Sequence, residues 1–223
     1  MKIRPLRIFF VFAPLLASCE MFYKPVTPPG YAVHNPEKVF IGDSLAEVSG
    51  LFYLPEERKF LAITDEEAII YEMDSSGTGI RYRFPQPFGE HGDFEEVVMV
   101  DSTIFALLSN GDIYAIDGKG RGREFKFDGH KNDDFESLYY EPSTNSLVSI
   151  CKECDHEDET RARTAYRFNL ASMQFEPGKY YEISTRDVAD ILKDGVAAFN
   201  PSAAAIHPVE KKLYILSSAG NLL

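Results

Sequence analysis

The chain has little positive charge. Lys and Arg number 23 against 35 Asp and Glu, a net charge of −12. That balance excludes the basic footprint that a phosphate backbone requires, so nucleic acid is not an expected partner. It equally excludes electrostatic adhesion to anionic lipid. No G-x-S-x-G elbow occurs, which removes an α/β-hydrolase mechanism. The glycine-rich run GKGRGREF (118–125) lies in a hairpin pattern and lacks the strand–helix setting of a phosphate cradle. Tryptophan is absent and cysteine occurs three times. One C-x-x-C is present, Cys151 to Cys154, and no second one completes a four-ligand zinc site. No apolar run reaches the roughly 20 residues of a spanning helix.

The apolar run that does exist is short and placed at the start. Lys2, Arg4 and Arg7 precede IFFVFAPLLAS, which has the length of a signal-peptide core and stops at Cys19. Leu at −3, small residues at −2 and −1, then Cys, resembles the bacterial lipobox, where a diacylglycerol is joined to the thiol and the leader is cut just before it. Residues 1–18 are therefore expected to be a lipoprotein signal peptide, with Cys19 as the acylated (palmitate-type) residue. The incidental alternative is a plain signal peptide. Each buried CH₂ of such an anchor contributes about 0.8 kcal/mol. Removal of 1–18 leaves 20 Lys and Arg against 35 Asp and Glu, a net charge of −15, so lipid rather than charge would hold the protein to its membrane. The expected location is the bacterial cell envelope, at the plasma or the outer membrane, with the face undetermined. Residues 19–38 are proline-rich and read as an extended tether.

From residue 39 onward the pattern is β, rich in Phe, Tyr, Ile and Val and punctuated by Gly, Asn and Asp. Aligned with itself, the chain shows four units opening at Glu47, Asp93, Asp134 and Asn200, separated by 46, 41 and 66 residues. Each carries Ser or Glu at its third place (Ser49, Glu95, Glu136, Ser202) and an aliphatic or small residue two places on (Leu51, Val97, Leu138, Ala204). A turn residue closes the first strand in each (Pro55, Asp101, Pro142, Pro208). Second strands follow at KFLAIT, TIFALL, SLVSIC and KLYILS, third strands at AIIYEMD, DIYAID and TAYRFNL, and fourth strands at GIRYRF and GREFKF. A four-stranded antiparallel meander of roughly 40–50 residues is the size of a β-propeller blade. The fold expected is an all-β propeller over 39–223, with about four units of an incomplete 5–6-bladed ring and an insertion near 155–195 that includes a short helix in STRDVADILKDG. The spacing predicts about 50–70 further residues beyond Leu223. The alternative is a closed four-bladed ring in which Val39–Ser44 completes the last sheet.

The lipobox, EVSGLFY, DFEEV, DFESLYY and PSAAAIHP together resemble the SdiA-regulated protein family, in its Bacteroidetes lipoprotein branch, from about Val39 onward. Glu47, Ser49, Gly50 and Leu51 match the family's E-x-S-G-[LI]; Asp93, Glu95 and Val97, and again Asp134, Glu136 and Leu138, match its D-x-E-x-[LIV]. Ala203 stands where the family usually has Gly. The resemblance implies a β-propeller, similar in architecture to phytase-like esterase propellers and to hydrolase and lactonase propellers. It supplies no activity, because fold does not imply function.

Three groups of residues are candidates for a site. The acid column, Glu47, Asp93, Glu95, Asp134 and Glu136, would form a ring at one mouth of the central channel. Such a ring suits Ca²⁺, which takes 6–8 oxygen ligands at about 2.3–2.6 Å, or a metal used for hydrolysis. Equally, these acids could accept backbone N–H bonds and organise the inner loops. Cys151 and Cys154 read as two thiols on a loop, paired or not, with an incomplete metal site as the alternative. His91 and His130 each precede an acid motif and read as loop histidines or, alternatively, as a base or ligand. The function expected is binding of a protein, glycan or small-molecule ligand by a membrane-anchored propeller that could also hold Ca²⁺. The alternative is a metal-dependent ester or phosphoester hydrolase.

Overall fold

Runs of β-branched and aromatic residues bounded by turn residues become strands at nearly every place the repeat marks. A computed structural model describes residues 38–41, 43–155, 161–192 and 198–219, together with Asn35. The chain divides into two units, Met1–Lys38 and Val39–Leu223, and every blade lies in the second. The signal peptide, Cys19 and all of the tether but Asn35 and Lys38 fall outside the described residues.

The first blade is β1 (Val48–Leu54), β2 (Lys59–Thr64), β3 (Tyr71–Asp74) and β4 (Arg81–Tyr82), hydrogen-bonded in that order. The second is β5 (Phe94–Val100), β6 (Thr103–Leu108), β7 (Ile113–Ile116) and β8 (Gly122–Phe125), again in order. The third is β9 (Asp134–Glu141), β10 (Ser146–Glu153) and β11 (Ala162–Asn169), whose outer edge is covered by β12 (Gln174–Phe175) and β13 (Tyr181–Ser184). The fourth, among the described residues, is β14 (Pro201–Ile206) with β15 (Leu213–Ser217). All pairings are antiparallel. β1 packs beside β5, β5 beside β9 and β9 beside β14. The first strand of each sheet is therefore the innermost, which is the radial arrangement of a β-propeller.

The four units repeat in backbone as well as in sequence. Arg58, Asp101, Asn145 and Lys211 each lie in the hairpin between first and second strands, and all four have positive φ, between 49° and 55°. For residues with a Cβ this is an uncommon conformation, and it recurs in the first hairpin of each blade although the loops differ in length. The third-place column has an equally direct cause. Pairing skips from Val48 to Gly50, from Phe94 to Glu96, from Phe135 to Ser137 and from Pro201 to Ala203. Ser49, Glu95, Glu136 and Ser202 are thus the unpaired residues of four equivalent β-bulges, which re-aim a side chain at a strand end.

The core lies between successive blades. Leu61, Ile63, Phe94 and Ile104 fill the space between blades 1 and 2. Leu107, Ile113, Phe135 and Leu147 do the same for blades 2 and 3, and Val148, Ile150 and Ala204 for blades 3 and 4. Backbone bonds cross these seams: Phe94 N–H donates to Asp65 C=O at 2.7 Å, and Phe135 N–H to Ser109 C=O at 2.7 Å.

One alternative and one expectation are corrected. Val39–Ile41 forms no strand and does not join the β14–β15 sheet; Ile41 packs instead with Leu45, Tyr71 and Met73 on blade 1. Ile41 and Leu45 find their apolar partners there at short range. The span near 155–195 is largely not an insertion, because β11, β12 and β13 within it are blade strands. β11 is the third strand read at TAYRFNL; the repeat hid β12 and β13 because the outer strand is split into two pieces that pair with opposite ends of β11. The predicted helix is present as α1 (Thr185–Leu192).

Candidate functional site

The four inner strands border one cavity of about 300 Å³. Leu51 and Phe52 come from β1, Val97 and Met99 from β5, Tyr139 and Tyr140 from β9, and Ala204 from β14. Its walls are mostly apolar and aromatic, the common make-up of a small-molecule site. One buried carboxyl interrupts them, that of Glu96.

Glu96 follows the bulge in β5. The residues at the same place in the other blades are Gly50, Ser137 and Ala203, so three small side chains accompany one long acid. Gly50 makes room for it: a Cβ there would lie 2.7 Å from Glu96 Cα and 2.9 Å from its Oε1. The carboxylate accepts the Val97 N–H at 2.9 Å, and the Leu51 N–H of β1 also reaches it. Burial pushes this carboxyl up to about 8; the two backbone hydrogen bonds oppose the rise and the nearby Glu95 charge adds to it. No Lys or Arg is paired with it among the described ion pairs.

The acid column is only partly assembled. Glu95 interacts with Asp93, Glu136 and Asp134, so four of the five predicted carboxyls meet at the start of β5 and β9. Burial, followed by the charges of Asp93, Glu136 and Asp134, pushes Glu95 up to about 8. Glu47 is exposed in the turn before β1 and is not among the groups acting on Glu95. In blades 1 and 4 the bulge residue is Ser, and its hydroxyl donates back to the second strand, Ser49 to Ile63 C=O at 3.3 Å and Ser202 to Leu216 C=O at 3.5 Å.

Lys152 occupies the middle of the carboxyl sector. Its Nζ lies 2.5 Å from Glu136 Oε1 and 3.1 Å from Asp134 Oδ2. Among the described residues no group of three or more His, Cys, Asp or Glu is arranged to hold a metal ion. The carboxyls present do not fit a resident Ca²⁺, because an ammonium already supplies the cation that two of them would share.

Cys151 and Cys154 are joined in a disulfide with their Cα atoms 6.0 Å apart. They do not lie on an open loop as expected: Cys151 is inside β10, and both are buried with Phe135 and Phe168. The disulfide forms where β10 leaves its register against β9, on either side of the residue that carries the ammonium to the carboxyls. The His91 ring Nδ1–H donates to Glu66 C=O at 3.1 Å, and the backbone N–H of His130 donates to Asp133 Oδ2 at 2.8 Å. His156 lies outside the described residues.

Glu96 and Lys152 were the residues missed from sequence. Glu96 stood one place beyond the acid column, and the small residues aligned with it (Gly50, Ser137, Ala203) were the available signal. Lys152 was read only as the spacing between two cysteines.

No helix among the described residues is long and apolar enough to cross a membrane. No curated protein matches the chain. Among solved structures it is similar to a chain of a nidogen/laminin complex (TM-score 0.51, 12% identity, 77% of this chain and 57% of that one). It is also similar to hydrazine synthase of Kuenenia stuttgartiensis (TM-score 0.50, 11% identity, 84% of this chain and 46% of that one). The β-propeller domain of Cps50 (Swd1) from Myceliophteria thermophila matches with a TM-score of 0.47, 6% identity, 77% of this chain and 50% of that one. The chain thus spans about half the length of these proteins, and the likeness concerns fold alone. The SdiA-regulated family model matches residues 24–223, nearly the whole chain. By that match and by its repeated four-stranded blades, the chain belongs to the SdiA-regulated family and is a β-propeller.

Proposed function

We propose that this is a lipid-anchored protein of the bacterial cell envelope whose propeller binds a small-molecule ligand in its central channel. The carrying observation is the cavity of about 300 Å³ to which all four inner strands contribute. Its size suits a small molecule better than a protein or glycan surface, and its aromatic walls supply apolar contact. The anchor is the acylated Cys19 behind a leader of 18 residues, with 19–38 holding the domain off the plasma or outer membrane. The hydrolase alternative needs at least three metal ligands in one place, and the carboxyl sector is already neutralised in part by Lys152.

Two measurements test this reading. Fatty-acid labelling in a bacterial host should mark the protein, and Cys19→Ser should abolish the label and free the protein from membranes. Binding of small aromatic probes, followed by ligand-observed NMR, should be lost in Leu51→Trp. Leu51 is 47% exposed, so the larger ring narrows the channel without disturbing the core. Probe binding that survives Leu51→Trp would place the ligand elsewhere.

A further inference from the structure

We infer that the channel takes a small molecule with an apolar body and a protonated amine, and that Glu96 is the group with which the amine pairs. The inference rests on the channel being the binding site. Three observations lead to it. First, Glu96 is the single acid at a place where the other blades keep Gly50, Ser137 and Ala203, so packing alone does not call for it. Second, it is 8% exposed, borders the cavity, and has backbone N–H groups but, among the described ion pairs, no cation paired with it. A buried carboxyl without a cation is costly to ionise, and groups of that kind concentrate at functional sites. Third, the charge of the protein is complementary: a net charge of −12, with Asp93, Glu95, Asp134 and Glu136 gathered on the strands that form the channel, draws a cation and repels an anion.

The charged surroundings of Glu96 are few. On its own strand Glu95 adds negative charge. β1 and β6 contribute no ionisable side chain except Tyr53, β2 contributes Lys59, which is paired with Glu72 at 2.7 Å, and β9 contributes Asp134, Glu136 and Glu141. The cation bordering the cavity, Lys211, sits in the exposed turn before β15, where water screens it. The hydroxyl of Tyr139 is engaged by Tyr181 at 3.1 Å. Phe52 and Tyr140 are among the lining residues and supply aromatic contact for the apolar body.

The proton balance follows. Glu96 is held neutral until about pH 8. A bound ammonium converts it to the carboxylate, and one proton leaves to solvent. Binding should therefore tighten as pH rises from 6 to 8, by up to roughly 50-fold, until the amine loses its own proton near its ordinary pKa of about 10.

Phenethylamine, phenethyl alcohol and phenylacetate share a body and differ in the terminal group. Titration calorimetry of the full chain, in two buffers of different ionisation heat, should show phenethylamine binding with release of about one proton per site at pH 7. The alcohol should bind at least tenfold more weakly and the acid not at all. Glu96→Gln keeps an oxygen for the Val97 N–H, and in it the amine should lose its pH dependence and its advantage over the alcohol. Equal binding of amine and alcohol with no proton release would overturn the ammonium inference and leave the channel as a site. Binding of none of the three to the wild type, or binding unaffected by Leu51→Trp, would overturn both.

Discussion

Two glutamates, Glu72 on β3 and Glu96 on β5, are almost equally buried, at 3% and 8% exposure. Their surroundings have opposite effects. Glu72 lies in the outer half of blade 1 and is met by Lys59 Nζ at 2.7 Å and by the guanidinium groups of Arg81 and Arg83. Burial pushes its carboxyl up, but hydrogen bonds from Lys59, Arg83 and Arg81 outweigh burial and hold it at about 2. Glu96 has only two backbone N–H groups, and burial prevails, holding it at about 8. A buried acid is tolerated either as a fully matched charge or as a neutral acid. The outer face uses the first solution, which is a structural one. The channel uses the second, which leaves a proton available for exchange with a ligand.

Breaking the matched site should have the larger effect. Glu72→Gln leaves three cations around an amide and should destabilise the fold by about 3 kcal/mol, read from the denaturant midpoint at pH 7. Glu96→Gln at pH 6, where the native acid is already neutral, should change stability by less than about 0.5 kcal/mol. If the two substitutions cost the same, the distinction between a matched and an unmatched acid fails.

The pH profile sharpens the same contrast. Glu72 has a lowered folded pKa, so its contribution is complete above the unfolded value of about 4.3 and is lost as pH falls toward 2. Glu96 has a raised one. Between about pH 4.3 and 8 the unfolded chain has released that proton while the native state retains it, so stability declines as pH rises and levels off above 8. Thermal unfolding from pH 5 to 8 should show a loss in the wild type of which about 3.5 kcal/mol belongs to Glu96 and is absent in Glu96→Gln. The residual slope belongs to Glu95, which is also held at about 8 but is only half-buried.

Gly50 ties blade 1 to the unmatched acid. A Cβ there would come 2.7 Å from Glu96 Cα and 2.8 Å from Val97 N, backbone atoms that cannot turn aside. Gly50→Ala should destabilise by about 2 kcal/mol and weaken probe binding, because the two inner strands must separate. The equivalent change Ala203→Gly in blade 4 should cost under about 1 kcal/mol, as glycine does within a strand. A harmless Gly50→Ala would mean that the seam between β1 and β5 is looser than these distances.

Much of this architecture could be read from the sequence, because blades repeat. The columns at Ser49, Glu95, Glu136 and Ser202 and at Pro55, Asp101, Pro142 and Pro208 are spaced by chain geometry that each blade reproduces. What the columns meant was less legible: the third-place residues recur because the strand bulges there, and a bulge is a property of pairing, which a single strand's sequence does not state. The site was harder still. Glu96 differs from Gly50, Ser137 and Ala203, so a search for what repeats passes over it. Lys152 reaches Asp134 and Glu136 across the β9–β10 pairing, a proximity set by register. The alternative in which Val39–Ser44 completes the last sheet does not hold among the described residues, because Ile41 and Leu45 find apolar partners on blade 1 at short range.

The smallest expected effect concerns the mixed case between the two glutamates. Lys152 is 24% exposed and bridges Asp134 and Glu136, so the carboxyl sector is matched in part. Its removal in Lys152→Met keeps the stem packing and should cost about 1 kcal/mol, the scale of a half-exposed ion pair within a network. The more telling readout is the titration of Glu95 by carboxyl NMR. With the ammonium gone, the charges of Asp134 and Glu136 that already raise Glu95 act without compensation, and its midpoint should move further up. Glu96, whose surroundings include neither Lys152 nor a pairing cation, should keep its midpoint. A shift of both carboxyls together would show one coupled acid field along β5, and the channel acid would then be set by the mouth as well as by its own burial.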